Sequence, residues 1–125
     1  MIFPFTIKIP ANTDHDEYLG DFEIPEGVLI HIYIDIPAGW SLTSGIRFET
    51  EDGIQIPKET TLERYFTGDD SNLDFRYSPV YVRKGKIKVY GVNYDANDHY
   101  VTGYLEIMTP EEIALLRWIN GAEVK

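Results

Sequence analysis

The stretch from Val28 to Ile36 reads Val-Leu-Ile-His-Ile-Tyr-Ile-Asp-Ile, with Ile30, Ile32, Ile34 and Ile36 alternating against His31, Tyr33 and Asp35. Side chains with a period of two fall on opposite faces of an extended chain, so the segment reads as a strand with one face to bury. Weaker copies of the pattern occur elsewhere. Phe3, Phe5, Ile7 and Ile9 alternate with Pro4, Thr6 and Lys8; Ile46 and Phe48 alternate with Arg47 and Glu49; Phe22 and Ile24 give a shorter example.

Turn formers separate these runs: Pro25-Glu26-Gly27, Pro37-Ala38-Gly39, Asp52-Gly53, Gly68-Asp69-Asp70 and Lys84-Gly85. Glycine supplies the backbone conformations that tight turns need. Short, regularly punctuated strands in a chain of 125 residues predict one core between two sheets. The expected fold is an all-β antiparallel sandwich, jelly-roll-like, of about eight strands plus one short C-terminal helix. Residues 1–109 form the sandwich, and residues 110–120 form a helix packed on it or on a neighbouring subunit.

One register accounts for both faces of the last strands. With 95–99 as a loop, Tyr94 sits opposite Tyr100, Val92 opposite Thr102, Tyr90 opposite Tyr104 and Lys88 opposite Glu106. The other face pairs Gly91 with Gly103, Val89 with Leu105 and Ile87 with Ile107. A Lys84-Gly85 turn then adds Val82 and Val80 to make a three-stranded meander. The facing glycines leave a dent that a large ring such as Trp118 is expected to fill.

After Met108 the period changes. Thr109-Pro110-Glu111-Glu112 is a capping box with proline at the first helical position, and Gly121 stands where the helix is expected to stop. Ile113, Ala114, Leu115, Leu116, Trp118 and Ile119 make this helix apolar on nearly every side, so one sheet alone cannot cover it.

A net charge of -10 repels phosphate backbones and anionic surfaces, so neither nucleic acid nor membrane insertion is expected. The first residues lack the pattern of a signal peptide, and no apolar run approaches the length of a membrane span. With no cysteine, thiolate chemistry and sulfur-ligated zinc are out of reach.

The chemical motifs are near-misses. Asp70-Ser71-Asn72-Leu73-Asp74 begins like a calcium loop, but Phe75 replaces the required glycine and Tyr81 stands where the closing glutamate belongs. It and the 95–99 loop read as polar turns. His15, His31 and His99 show no metal-binding spacing. Gly39-Trp40-Ser41-Leu42-Thr43 resembles a nucleophile elbow without its last glycine. No metal, cofactor or enzymatic activity is expected.

What remains is sticky surface. Tyr90, Tyr94, Tyr100 and Tyr104, with Ile113, Leu116, Trp118 and Ile119 of the helix, are the expected partner-binding residues. They point to a non-catalytic structural or assembly protein acting as a homo-oligomer or with another structural protein, a virion component (capsid, decoration or tail accessory) being an example. The alternative is a carbohydrate-binding β-sandwich module that stacks sugars on Trp40 or on the tyrosine face, Tyr81 included, although the place of Trp40 in its loop suits closing one end of the sandwich equally.

Overall fold

In the computed structural model, which describes residues 1–57, 65–76 and 80–124, nine strands and one helix follow one another. They are β1 (Ile2–Ile9), β2 (Thr13–Ile24), β3 (Gly27–Ile36), β4 (Ser44–Glu49), β5 (Gln55–Ile56), β6 (Ser71–Phe75), β7 (Val80–Val82), β8 (Gly85–Asn93), β9 (His99–Met108) and α1 (Pro110–Val124). Two antiparallel sheets share the core. One has the order β1-β9-β3-β6, with β7 also paired to β3; the other has the order β2-β8-β4-β5.

The strand pairing is that of a long hairpin rolled on itself. β4 pairs with β5, β3 with β6, β2 with β8 and β1 with β9, so the outer pairs close progressively longer loops. Rolling then lays β9 beside β3 and β8 beside β4. This is the jelly-roll arrangement, two four-stranded layers with β7 as a short addition.

Alternation identifies the buried side chains. Phe5, Ile9, Ile46, Phe48, Ile87, Val89, Leu105 and Ile107 all enter the core. In β3 the phase changes: a register shift between Leu29 and His31 leaves Ile30 half-buried and puts Leu29 inside with Ile32, Ile34 and Ile36. A bulge of one residue moves every side chain before it to the other face.

The expected meander is not formed. β8 and β9 lie in opposite sheets, so the 94–98 connection is an arch across the sandwich and not a hairpin. Tyr90 faces Tyr18 and Arg47, while Tyr104 faces Pro4 and Tyr33. Lys88 stands between Asp21 and Glu49, not opposite Glu106. β7 likewise pairs with β3 and not with β8. An arch and a hairpin bury the same alternate residues, so alternation alone cannot separate them.

Nor do the glycines form a shared dent. A methyl at Gly103 would fall on the Tyr33 carbonyl oxygen and within 2.8 Å of Phe5 Cζ; one at Gly91 would lie 2.8 Å from both Gly45 O and Leu19 Cδ1. Neighbouring backbone and side chains fill both places, and Trp118 is exposed.

β1 lies at a sheet edge. Met1 and Ile107 exchange both of their backbone hydrogen bonds, so Ile2, Pro4, Thr6 and Lys8 turn their backbone groups to the open side. Pro4 thus sits where the ladder asks nothing of its missing N–H.

At the other end of β9 the capping box forms as expected: Glu112 N–H donates to Thr109 Oγ1 at 3.3 Å, and Thr109 N–H donates to Glu112 Oε1 at 3.2 Å. The helix does not stop at Gly121 but runs to Val124. Glycine weakens a helix without necessarily ending it.

Candidate functional site

The predicted tyrosine surface is divided between the two outer faces of the sandwich. On the β1-β9-β3-β6 sheet Tyr104 stacks against Tyr33, their ring centres 5.3 Å apart, and takes the edge of His31 at 5.3 Å. On the opposite sheet Tyr90 packs against Tyr18 at 5.7 Å and carries the Arg47 guanidinium 4.2 Å above its ring. The faces of Tyr90 and Tyr104 are therefore largely engaged within the molecule. Tyr94 and Tyr100 are exposed at the end where β8 crosses to β9.

Each aromatic pair has a polar anchor. Arg47 is nearly buried, although it points away from the core, because Asp16 accepts from both its Nε and its Nη2, and Glu49 accepts from Nη1 at 3.3 Å. These carboxylates hold its guanidinium above its ordinary pKa, with the hydrogen bond to Asp16 the main cause and burial opposing. On the other face His31 is buried between two strands: Nε2 meets Asp74 on β6, and Nδ1 lies 3.6 Å from Glu106 on β9. Both clusters cross-link strands through buried polar contacts.

The acidic loops do likewise. Asp69 Oδ1 accepts from the backbone N–H of Gly39 and of Ser41, at 3.0 and 2.9 Å. Asp95 caps Ala96 and meets His99; Asp98 accepts from Ala11 N–H at 2.8 Å and pairs with Lys8 at 3.3 Å. Ser71 to Asp74 belong to strand β6, so the calcium-loop pattern is drawn out straight. Among the described residues no group of three or more His, Asp or Glu side chains is placed to hold a metal ion.

Of the two roles open to Trp40, stacking a sugar or closing one end of the sandwich, the structure shows the second: it is 0% exposed. The 37–43 loop folds it into the end of the core 6.3 Å from His99, so no sugar can stack on it. Ser41, in the elbow-like motif, adopts a positive φ of 48° with Leu42 at 64°. Tyr81 is half-exposed with its hydroxyl on Glu26.

The most unusual surface is the helix. α1 touches the strands only marginally. Pro110, Ile113, Ala114 and Arg117, at the spacing of one helical face, line an open groove of about 480 Å3 against Val28 and Tyr81. The apolar stripe of Leu115, Trp118 and Ile119 points the other way: Leu115 is 59% and Trp118 73% exposed, and Leu116 and Ile119 are exposed beside them. The helix thus turns its largest hydrophobic side chains away from its own sandwich. Among the described residues no helix is long and apolar enough to cross a membrane.

Sequence reasoning put the helix residues of this patch on the list but missed one contributor, Leu115, which was legible as part of the apolar run.

Fold and surface together define a jelly-roll domain with one uncovered apolar helix. No protein family, no curated protein and no solved structure matches the chain.

Proposed function

We propose that the protein is a non-catalytic structural component that assembles with copies of itself through α1. The observation that carries this reading is the outward stripe of Leu115, Trp118 and Ile119 on a helix with almost no contact to its own domain. A fully buried side chain such as Leu115 contributes roughly 1.5–3 kcal/mol relative to exposure, so the stripe offers a strong incentive to associate. Jelly rolls occur in viral capsids and in lectins alike, so the fold by itself does not choose between assembly and sugar binding. A role as a virion component, in a capsid or as a decoration or tail accessory, is one form the assembly reading takes.

The carbohydrate reading has lost Trp40 to the core and the face of Tyr90 to Arg47, which leaves it the exposed Tyr81, Tyr94 and Tyr100. Light scattering decides the matter: the intact chain should be oligomeric and a chain ending at Thr109 monomeric. An intact chain that stays monomeric at high concentration removes the assembly reading.

A further inference from the structure

Between β3 and β4 the 37–43 loop crosses the end of the sandwich. Pro37, Ala38, Gly39, Ser41 and Leu42 are exposed and Thr43 is half-buried, so Trp40 is the one side chain of the loop that enters the core.

The polar fastening of the loop is concentrated on a single atom. Asp69 Oδ1 accepts from Gly39 N–H at 3.0 Å and from Ser41 N–H at 2.9 Å, on either side of Trp40. The remaining bonds to this segment, Leu42 N–H to Gly68 O and Asp70 N–H to Pro37 O, are longer at 3.3 Å. Thr43 is tied down separately, since its carbonyl accepts from Tyr94 N–H at 3.0 Å. The weakly held part of the loop therefore ends at Leu42. At its other end Gly39 has nothing within 4 Å of where a Cβ would stand, so the chain can pivot there without displacing a neighbour.

Two features oppose the closed arrangement. Ser41 and Leu42 both adopt left-handed φ, in a tight turn closed by Thr43 N–H on Trp40 O at 2.8 Å, and neither is a residue type that favours that conformation. The indole Nε1 is buried with no hydrogen-bond partner among the described residues, whereas water would supply one outside. Against these stand the burial of the ring and the two bonds to Asp69.

We infer that the 37–43 loop is a hinged lid on the end of the sandwich, with Trp40 as its plug and Asp69 as its latch. Opening withdraws the indole from beside His99 while both sheets stay paired, because no residue of the loop belongs to a strand. Segments with few buried contacts are where such local openings occur. The lid belongs to the single chain and does not depend on self-association.

Hydrogen exchange of the Trp40 indole N–H, followed by NMR in the full chain, tests the lid, with Trp118→Phe telling the two indoles apart. Corrected for intrinsic rates, the indole should be protected at least about tenfold less than the backbone amides of Ile34 and Leu105, which lie in central strands. Ser41→Asn with Leu42→Gly installs the pair that left-handed turns prefer, and it should raise the indole's protection several-fold. Asp69→Ala should lower that protection and leave Ile34 and Leu105 as they were. An indole as well protected as the two amides overturns the inference, and so does an Asn-Gly turn that leaves its protection unchanged. If Asp69→Ala weakens the indole and the two amides equally, Asp69 supports the whole fold and is no latch.

Discussion

The side chain of Asn93, at the end of β8, donates from Nδ2 to the backbone carbonyl of Ile9 in the opposite sheet, at 3.1 Å. Its second amide hydrogen goes to Asn97 O at 2.8 Å, and its Oδ1 accepts from Ser44 Oγ and from Asp95 N–H, both at 2.9 Å. A fully buried side chain thus has every hydrogen-bonding position filled, and it ties β1, β4 and the crossing loop together.

Asn93→Ala should cost about 2–4 kcal/mol in urea unfolding, because it strands buried partners of the lost amide. Asn93→Asp should cost more, since a carboxylate cannot donate to Ile9 O and brings a buried charge. An Asp variant more stable than the Ala variant would contradict this account.

Gly103→Ala should destabilise by about 3 kcal/mol or more, because the added methyl meets the Tyr33 carbonyl, which cannot move without disturbing the pairing of β3 and β9. Gly39→Ala provides the contrast. Nothing lies within 4 Å of a methyl there, and only its positive φ of 106° opposes the change, so it should cost less. Thermal midpoints of the two variants give the comparison.

Trp40→Ala should cost about 3–5 kcal/mol as a core truncation. Trp40→Phe should cost much less, because the indole Nε1 is buried without a hydrogen-bond partner among the described residues and its removal breaks no bond. Equal losses for the two variants would show that the N–H matters more than the ring.

Stability should fall in acid partly through Asp98. The amide of Ala11, and then Lys8, hold its carboxyl below the ordinary value of 3.8. A lowered folded-state value stabilises above the unfolded value and is lost as pH falls through the folded one. The gap between the intact chain and Asp98→Asn should therefore be constant above about pH 5 and shrink below pH 4. His15 acts in the opposite sense: bonds to Asp14 and then to Glu17 raise it above 6.5, so its contribution is present below that value and fades as pH rises. A His15→Gln variant that differs from the intact chain as much at pH 9 as at pH 5 would refute that part.

Much of the fold was legible because burial leaves a local trace. The alternation in β1, β4, β8 and β9 named Phe5, Ile9, Phe48, Ile87, Val89, Leu105 and Ile107 as core residues, and all are buried. The capping box of Thr109 and Glu112 was equally plain, since its partners are three residues apart. Trp40 was legible only in part. Its place in a turn-rich loop suits exposure and closure of the sandwich end equally, and it is Asp69, about thirty residues away, that holds the loop which folds the indole inward.

The sequence by itself determined which side of β1, β4, β8 and β9 is greasy, where turns fall and where the helix begins, because each depends on neighbours within a few residues. Only the tertiary structure decided that β8 and β9 part into different sheets, which separated Tyr90 from Tyr104, and that Leu115 and Trp118 face away from the domain. The physical reason is that hairpin and arch present the same alternate residues to the core, so the choice rests on pairing with β1, β2, β3 and β4, far away in the chain.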